Sequence, residues 1–133
     1  MTTPEQQRKL RIEIPGLPPR ELSPNARVHW AVKAKAAREY GSQVFYAAVD
    51  ARNRSEPAKW KNLDHAKVQV WFYVPPRRRR DLDNLIASFK PGLDALVRCG
   101  ILVDDSIGHV EVSHTATQPF DGKTPSTTVE VEA

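Results

Sequence analysis

The 133-residue chain carries a formal net charge of +4 and 40% apolar residues, which fits one domain with a modest core and is compatible with a polyanionic partner. A single cysteine, Cys99, excludes an intrachain disulfide and points to a reducing compartment, and the four histidines show no ligand spacing with it, which argues against zinc. Met1 to Lys9 is polar with no apolar segment after it, and no run approaches membrane-spanning length, so a soluble, cytoplasmic protein without membrane contact is expected.

One domain spanning residues 1–133 is expected, with 1–8 flexible. Leu10 to Ile14 alternates apolar and polar residues and reads as a first strand. Pro15 to Pro24 holds four prolines and a glycine, a stiff loop that leads into Asn25, Arg27 and His29. Trp30 to Arg52 is the long helix, because Ala34, Ala37, Tyr40, Val44 and Ala48 recur at spacings of three and four. Asn53 to Leu63 is a polar linker whose Trp60 is expected against the core. Ala66 to Val74 alternates as a strand, and the apolar character of both its faces predicts a central position. Pro75 and Pro76 stop it. A second helix is expected over Asn84 to Arg98, kinked or broken at Pro91-Gly92 and capped by Gly100. Val110 to Thr117 is a third strand. Asp121-Gly122 marks a turn into a last strand, Thr127 to Val131, which is expected to hairpin-pair with the third. The order β-α-β-α-β-β makes the class α+β, a mixed sheet with two helices packed on it.

The informative stretch is Arg77-Arg-Arg-Arg-Asp-Leu-Asp-Asn84, where four arginines meet two aspartates spaced i and i+2. At the end of a strand that spacing points both side chains to one face, so Asp81 and Asp83 would converge beside strong positive charge. Close carboxylates repel unless a cation neutralises them, and magnesium, an oxygen-seeking ion that binds one or two carboxylates, suits such a pair. Arginines alongside would hold phosphates. The alternative is that Asp83 or Asn84 only N-caps the following helix and the arginines form a solvated patch.

Lys90 lies seven residues after Asp83 and Asp94 lies eleven after it; on an unbroken helix all three share nearly one face, which would let Lys90 stabilise phosphate charge in a transition state. The alternative is a surface Lys90–Asp94 pair. Asp104-Asp105, after the apolar run Ile101 to Val103, could complete a carboxylate cluster or could be a surface turn. No glycine-rich phosphate loop and no G-x-S-x-G element occur, so no organic cofactor is expected. Cys99 reads as a buried small residue.

The blocks R-R-R-R-D-L-D-N, K-x-x-x-D-A-L and G-x-x-x-D-D, in that order between Arg77 and Asp105, resemble the RusA family of Holliday-junction resolvases. Similarity extends more weakly to Pro18–His29 and to the closing strands. The resemblance implies a RusA-like fold and a homodimeric, magnesium-dependent crossover junction endodeoxyribonuclease acting in DNA recombination and repair. It implies that Asp81, Asp83 and Asp105 hold Mg2+ and that Lys90 assists catalysis. It also implies branched DNA as the partner, with Arg77, Arg78, Arg79, Arg80, Asn25, Arg27 and His29 as contacts. In the enterobacterial pattern the lysine follows the second acid by four residues, against seven here. Two other readings stand beside this one: a related nuclease acting on forks, flaps or phage DNA intermediates, and a non-catalytic branched-DNA-binding protein.

Overall fold

A computed structural model describes residues 9–77 and 80–133. The flexibility expected of residues 1–8 and the roles expected of Arg78 and Arg79 lie outside the described residues. In chain order the elements are β1 (Lys9–Pro15), a 3-10 turn (Arg20–Leu22), α1 (Trp30–Asn53), β2 (Ala66–Tyr73), α2 (Leu82–Ser88), α3 (Lys90–Arg98), β3 (Val110–Thr117) and β4 (Ser126–Glu132). The class is a mixed α+β sheet with helices packed on it, as the sequence pattern predicts.

Strand order is β1-β4-β2-β3. β4 runs antiparallel to both β1 and β2, while β3 runs parallel to β2. The expected hairpin between the last two strands is therefore not formed; β2 lies between them. Burial explains the exchange. β4 buries Thr127, Thr128, Val129 and Val131, whereas of β3 only Val110 is fully buried. The more apolar strand takes a central slot and the polar one takes the edge. The Asp121-Gly122 turn is still built: Gly122 adopts φ 71°, and Asp121 Oδ1 accepts from the backbone N–H of Lys123 and of Thr124, each at 2.9 Å.

One face of the sheet carries the core. Leu10, Ile12 and Ile14 of β1, Val68, Val70 and Phe72 of β2, and Val129 and Val131 of β4 are all buried. Tyr40, Val44 and Ala48 of α1 and Leu85, Phe89, Ala95 and Leu96 of the later helices join them in one cluster. Trp60 is buried, as expected. The expected second helix is two helices, and the break falls at Phe89 rather than at Pro91-Gly92. Pro91 sits in the first turn of α3, where its missing N–H costs no hydrogen bond. Phe89 turns its ring inward to meet Tyr40 and Phe72 edge-on, at centroid distances of 6.2 and 6.0 Å. A Cβ at Gly92 would come within 2.6 Å of that ring, so the glycine makes room for it. Gly100, at φ 82°, donates to Val97 O and ends α3 as expected.

Candidate active site

Two segments leave the sheet at the same end. Pro15 of β1 and Tyr73 of β2 both stand opposite Ser126, so the proline loop and the segment Val74 to Arg77 depart from the same end. Arg80 ties the two together, its guanidinium donating to Pro18 O at 3.0 Å while half-buried. Its first service is thus to anchor the loop. Around that anchor opens a pocket of about 540 Å³ lined by Arg20, Ser23, Asn25, Ala26, Arg80, Asp81 and Asn84. Asn25, Arg80 and Asp81 of the sequence-expected set meet here. Arg20 and Ser23 were not foreseen, since they belong to a loop whose only sequence signal is its proline content. Arg27 and Arg77 are exposed. His29 is exposed too, and its Nδ1 accepts from Ala31 N–H at 3.1 Å, capping α1.

Asp81 and Asp83 do not sit on a strand end. β2 stops at Tyr73; Asp81 occupies the N-cap position of α2 and Asp83 its first turn. The i, i+2 strand argument therefore does not place them. Nor does the capping alternative describe them, because the cap residue is Asp81 and its side chain makes no capping hydrogen bond. Both carboxylates are exposed, and among the described residues neither has a hydrogen-bond or ion-pair partner. Asp81 lines the pocket with Arg80, and Asp83 is not among the lining residues.

Lys90 opens α3, and the break at Phe89 removes the unbroken helical face that was expected to align it with Asp83. Its ammonium instead bridges two acids, Asp94 at 3.0 Å and Asp105. The expected surface pair with Asp94 is formed, beside a pair with Asp105 that the sequence did not suggest. The hydrogen bond from Lys90 holds the Asp105 carboxyl below its ordinary range, and the same contact pushes the Lys90 ammonium up. Asp104 Oδ1 accepts from Asp105 N–H at 2.8 Å, which fixes the turn that presents Asp105.

Asp81, Asp83 and Asp105 do not gather. Among the described residues no three of His, Cys, Asp or Glu lie close enough to cage a metal ion. Magnesium asks for less than a cage, since one or two carboxylates with waters and phosphate oxygens suffice. Asp81 and Asp83 are without a partner among the described residues, while Asp105 is already paired with Lys90.

Several other polar groups are engaged in or buried by the fold. His109 Nδ1 donates to Asp64 and His114 stacks on Phe72, where burial lowers its basicity. Cys99 is buried, as expected, and burial pushes its thiol up. Tyr40, buried beneath the loop, has its phenol pushed well above the ordinary value by burial.

No family model matches the chain. An uncharacterized protein of Xylella fastidiosa (strain Temecula1 / ATCC 700964) is similar: 39% identical over 84 residues, covering 59% of this chain. The chain spans about half (50%) of the length of that relative. No helix among the described residues is long and apolar enough to cross a membrane.

Proposed function

We propose that the protein is a RusA-like, magnesium-dependent endonuclease that cuts branched DNA, four-way junctions above all, as a homodimer. The observation that carries the reading is the exposed carboxylate of Asp81, unpartnered among the described residues, lining a pocket that also holds Arg20, Asn25 and Arg80, with the equally exposed Asp83 two residues on in the first turn of α2. Asp81 and Asp83 would hold magnesium, which when bound supplies Lewis-acid polarisation of the scissile phosphate. Arg20 and Asn25 bind neighbouring phosphate oxygens by charge and hydrogen bonding. Arg80 keeps the loop that bears them in place through Pro18. Lys90 stabilises negative charge that develops on the phosphate, and Asp105 and Asp94 keep its ammonium oriented and fully protonated. Recognition rests on branch shape and backbone charge rather than on base edges.

The testing experiment incubates the protein with a synthetic four-way junction and with matched linear duplex, in magnesium and in chelator. Paired symmetric nicks in the junction alone, dependent on magnesium, are expected. Junction binding with no cleavage in any divalent metal would overturn the nuclease in favour of a DNA-binding protein. Preferential cutting of forks or flaps would move the substrate without moving the chemistry.

A further inference from the structure

The helices cover one face of the sheet; the other carries at one end a row of charges that is complementary to itself, with Arg11, Glu13 and Glu130 further along the same face. We infer that two copies of the chain pair through this uncovered face, about a two-fold axis lying between the sheets and parallel to the strands. The inference supplies the interface for the proposed homodimer, and it rests on that reading only for what the dimer is used for.

The strand register places four residues in one row across the face. Lys9 stands beside Glu132, Glu132 beside Lys67, and Lys67 beside Glu111. In the order β1-β4-β2-β3 the row reads plus, minus, plus, minus. Among the described residues no ion pair joins any adjacent two of the four. A two-fold axis parallel to the strands reverses strand order and keeps each residue's height along the strand. It therefore sets Lys9 against Glu111 of the partner subunit and Lys67 against Glu132 of the partner subunit. All four charges meet their opposites, and by symmetry all four pairs form. An in-plane axis perpendicular to the strands would instead turn the row onto the opposite end of the face. There Pro15, Ser126, Tyr73 and Thr117 stand in one row and offer no charge to answer it.

The parallel axis also suits the middle of the face. Trp71 of β2, half-buried, stands towards the middle of the face and approaches β4 of the partner subunit across the axis. Phe120, 97% exposed beside Tyr73, extends the apolar area at the far end. Four strands about 4.8 Å apart and seven residues long span a flat area of about 19 by 23 Å. Side-chain relief raises this towards the ~600–800 Å² per partner of a stable interface. Facing sheets pack in this aligned manner routinely. The row of four charges stands at the end of the face, where it contributes register and specificity more than affinity, while Arg11 and Glu13 further along the face are paired within the chain.

One consequence bears on function. The pocket with Asp81 lies beyond the end of the sheet marked by Pro15 and Tyr73. An axis parallel to the strands leaves both copies of that pocket at the same end of the dimer, where one branched DNA molecule can meet both.

The test measures the mass of the full chain in solution, without DNA, by sedimentation. A dimer is expected. Lys67→Glu should weaken it about tenfold and Trp71→Arg about 100-fold or more. The exchange Lys67→Glu with Glu132→Lys should restore the wild-type dimer, because those two positions face each other across the axis. Circular dichroism confirms that each variant is folded. A monomeric wild type, a dimer indifferent to both single variants, or an exchange that fails to rescue would each overturn the inference. A dimer that cuts no DNA sustains it while removing the nuclease; a monomer that cuts junctions does the reverse.

Discussion

The two acidic regions of the candidate site answer their charge in different ways. Asp105 is neutralised from within, by an ammonium that also holds Asp94. Asp81 and Asp83 have no partner among the described residues, although Arg80 adjoins Asp81 in the chain and spends its guanidinium on Pro18 instead. An internal ion pair organises a surface; an unanswered pair of carboxylates leaves room for a cation from outside. In the proposed nuclease this division would put the metal at the start of α2 and the positioned ammonium at the start of α3.

The sharpest way to break this contrast is to remove the unanswered charge. Asp83→Asn and Asp81→Asn should each slow junction cleavage at least ~100-fold, about 2.7 kcal/mol of transition-state stabilisation. Junction affinity and melting temperature should hold, since neither side chain makes a bond in the fold. Single-turnover cleavage and gel-shift titration read the two separately. If Asp83→Asn cuts at the wild-type rate, the metal is held elsewhere.

Arg80→Ala and Gly92→Ala act on the scaffold. Losing the half-buried bond to Pro18 should lower unfolding stability by about 1–3 kcal/mol, visible in urea denaturation. A methyl at Gly92 should cost a similar ~1–3 kcal/mol by pressing on the Phe89 ring. Lys90→Met separates chemistry from stability: cleavage should drop roughly 10- to 100-fold, while stability changes by less than ~1 kcal/mol because the pair is solvent-screened. Equal losses in both would make Lys90 merely structural.

The smallest effect is in pH. Asp105 is held below the ordinary carboxylate value, so its pair with Lys90 stabilises the fold above that value. The contribution is lost as pH falls through the depressed value, and neutral to mildly acidic pH leaves it intact. Carbon NMR of the side-chain carboxyls should show Asp105 titrating low and returning towards normal in Lys90→Met. Asp121, bonded by the Thr124 hydroxyl and by backbone N–H groups, should titrate at about 2 and should not respond to that substitution.

Local patterns in the chain were enough to reveal the local elements. Alternation marked β1 and β2, a period of three to four marked α1, and Gly100 marked the end of α3, because these depend on which residues neighbour each other in the chain. Block order marked Asp81, Asp83, Lys90 and Asp105 as candidates, but among the described residues the three acids do not gather. Tertiary structure decided what lies far apart in sequence. It inserted β4 between β1 and β2, since only packing compares the burial of one strand with another's. It broke the second helix at Phe89 because that ring finds Tyr40 and Phe72 in the core. It gave Lys90 to Asp105 across 15 residues and Arg80 to Pro18 across 62, pairings that no spacing encodes. The row of alternating charge on the open face belongs to the same class. Lys9, Lys67, Glu111 and Glu132 are unremarkable along the chain, and only strand register, set by burial of the opposite face, brings them into line.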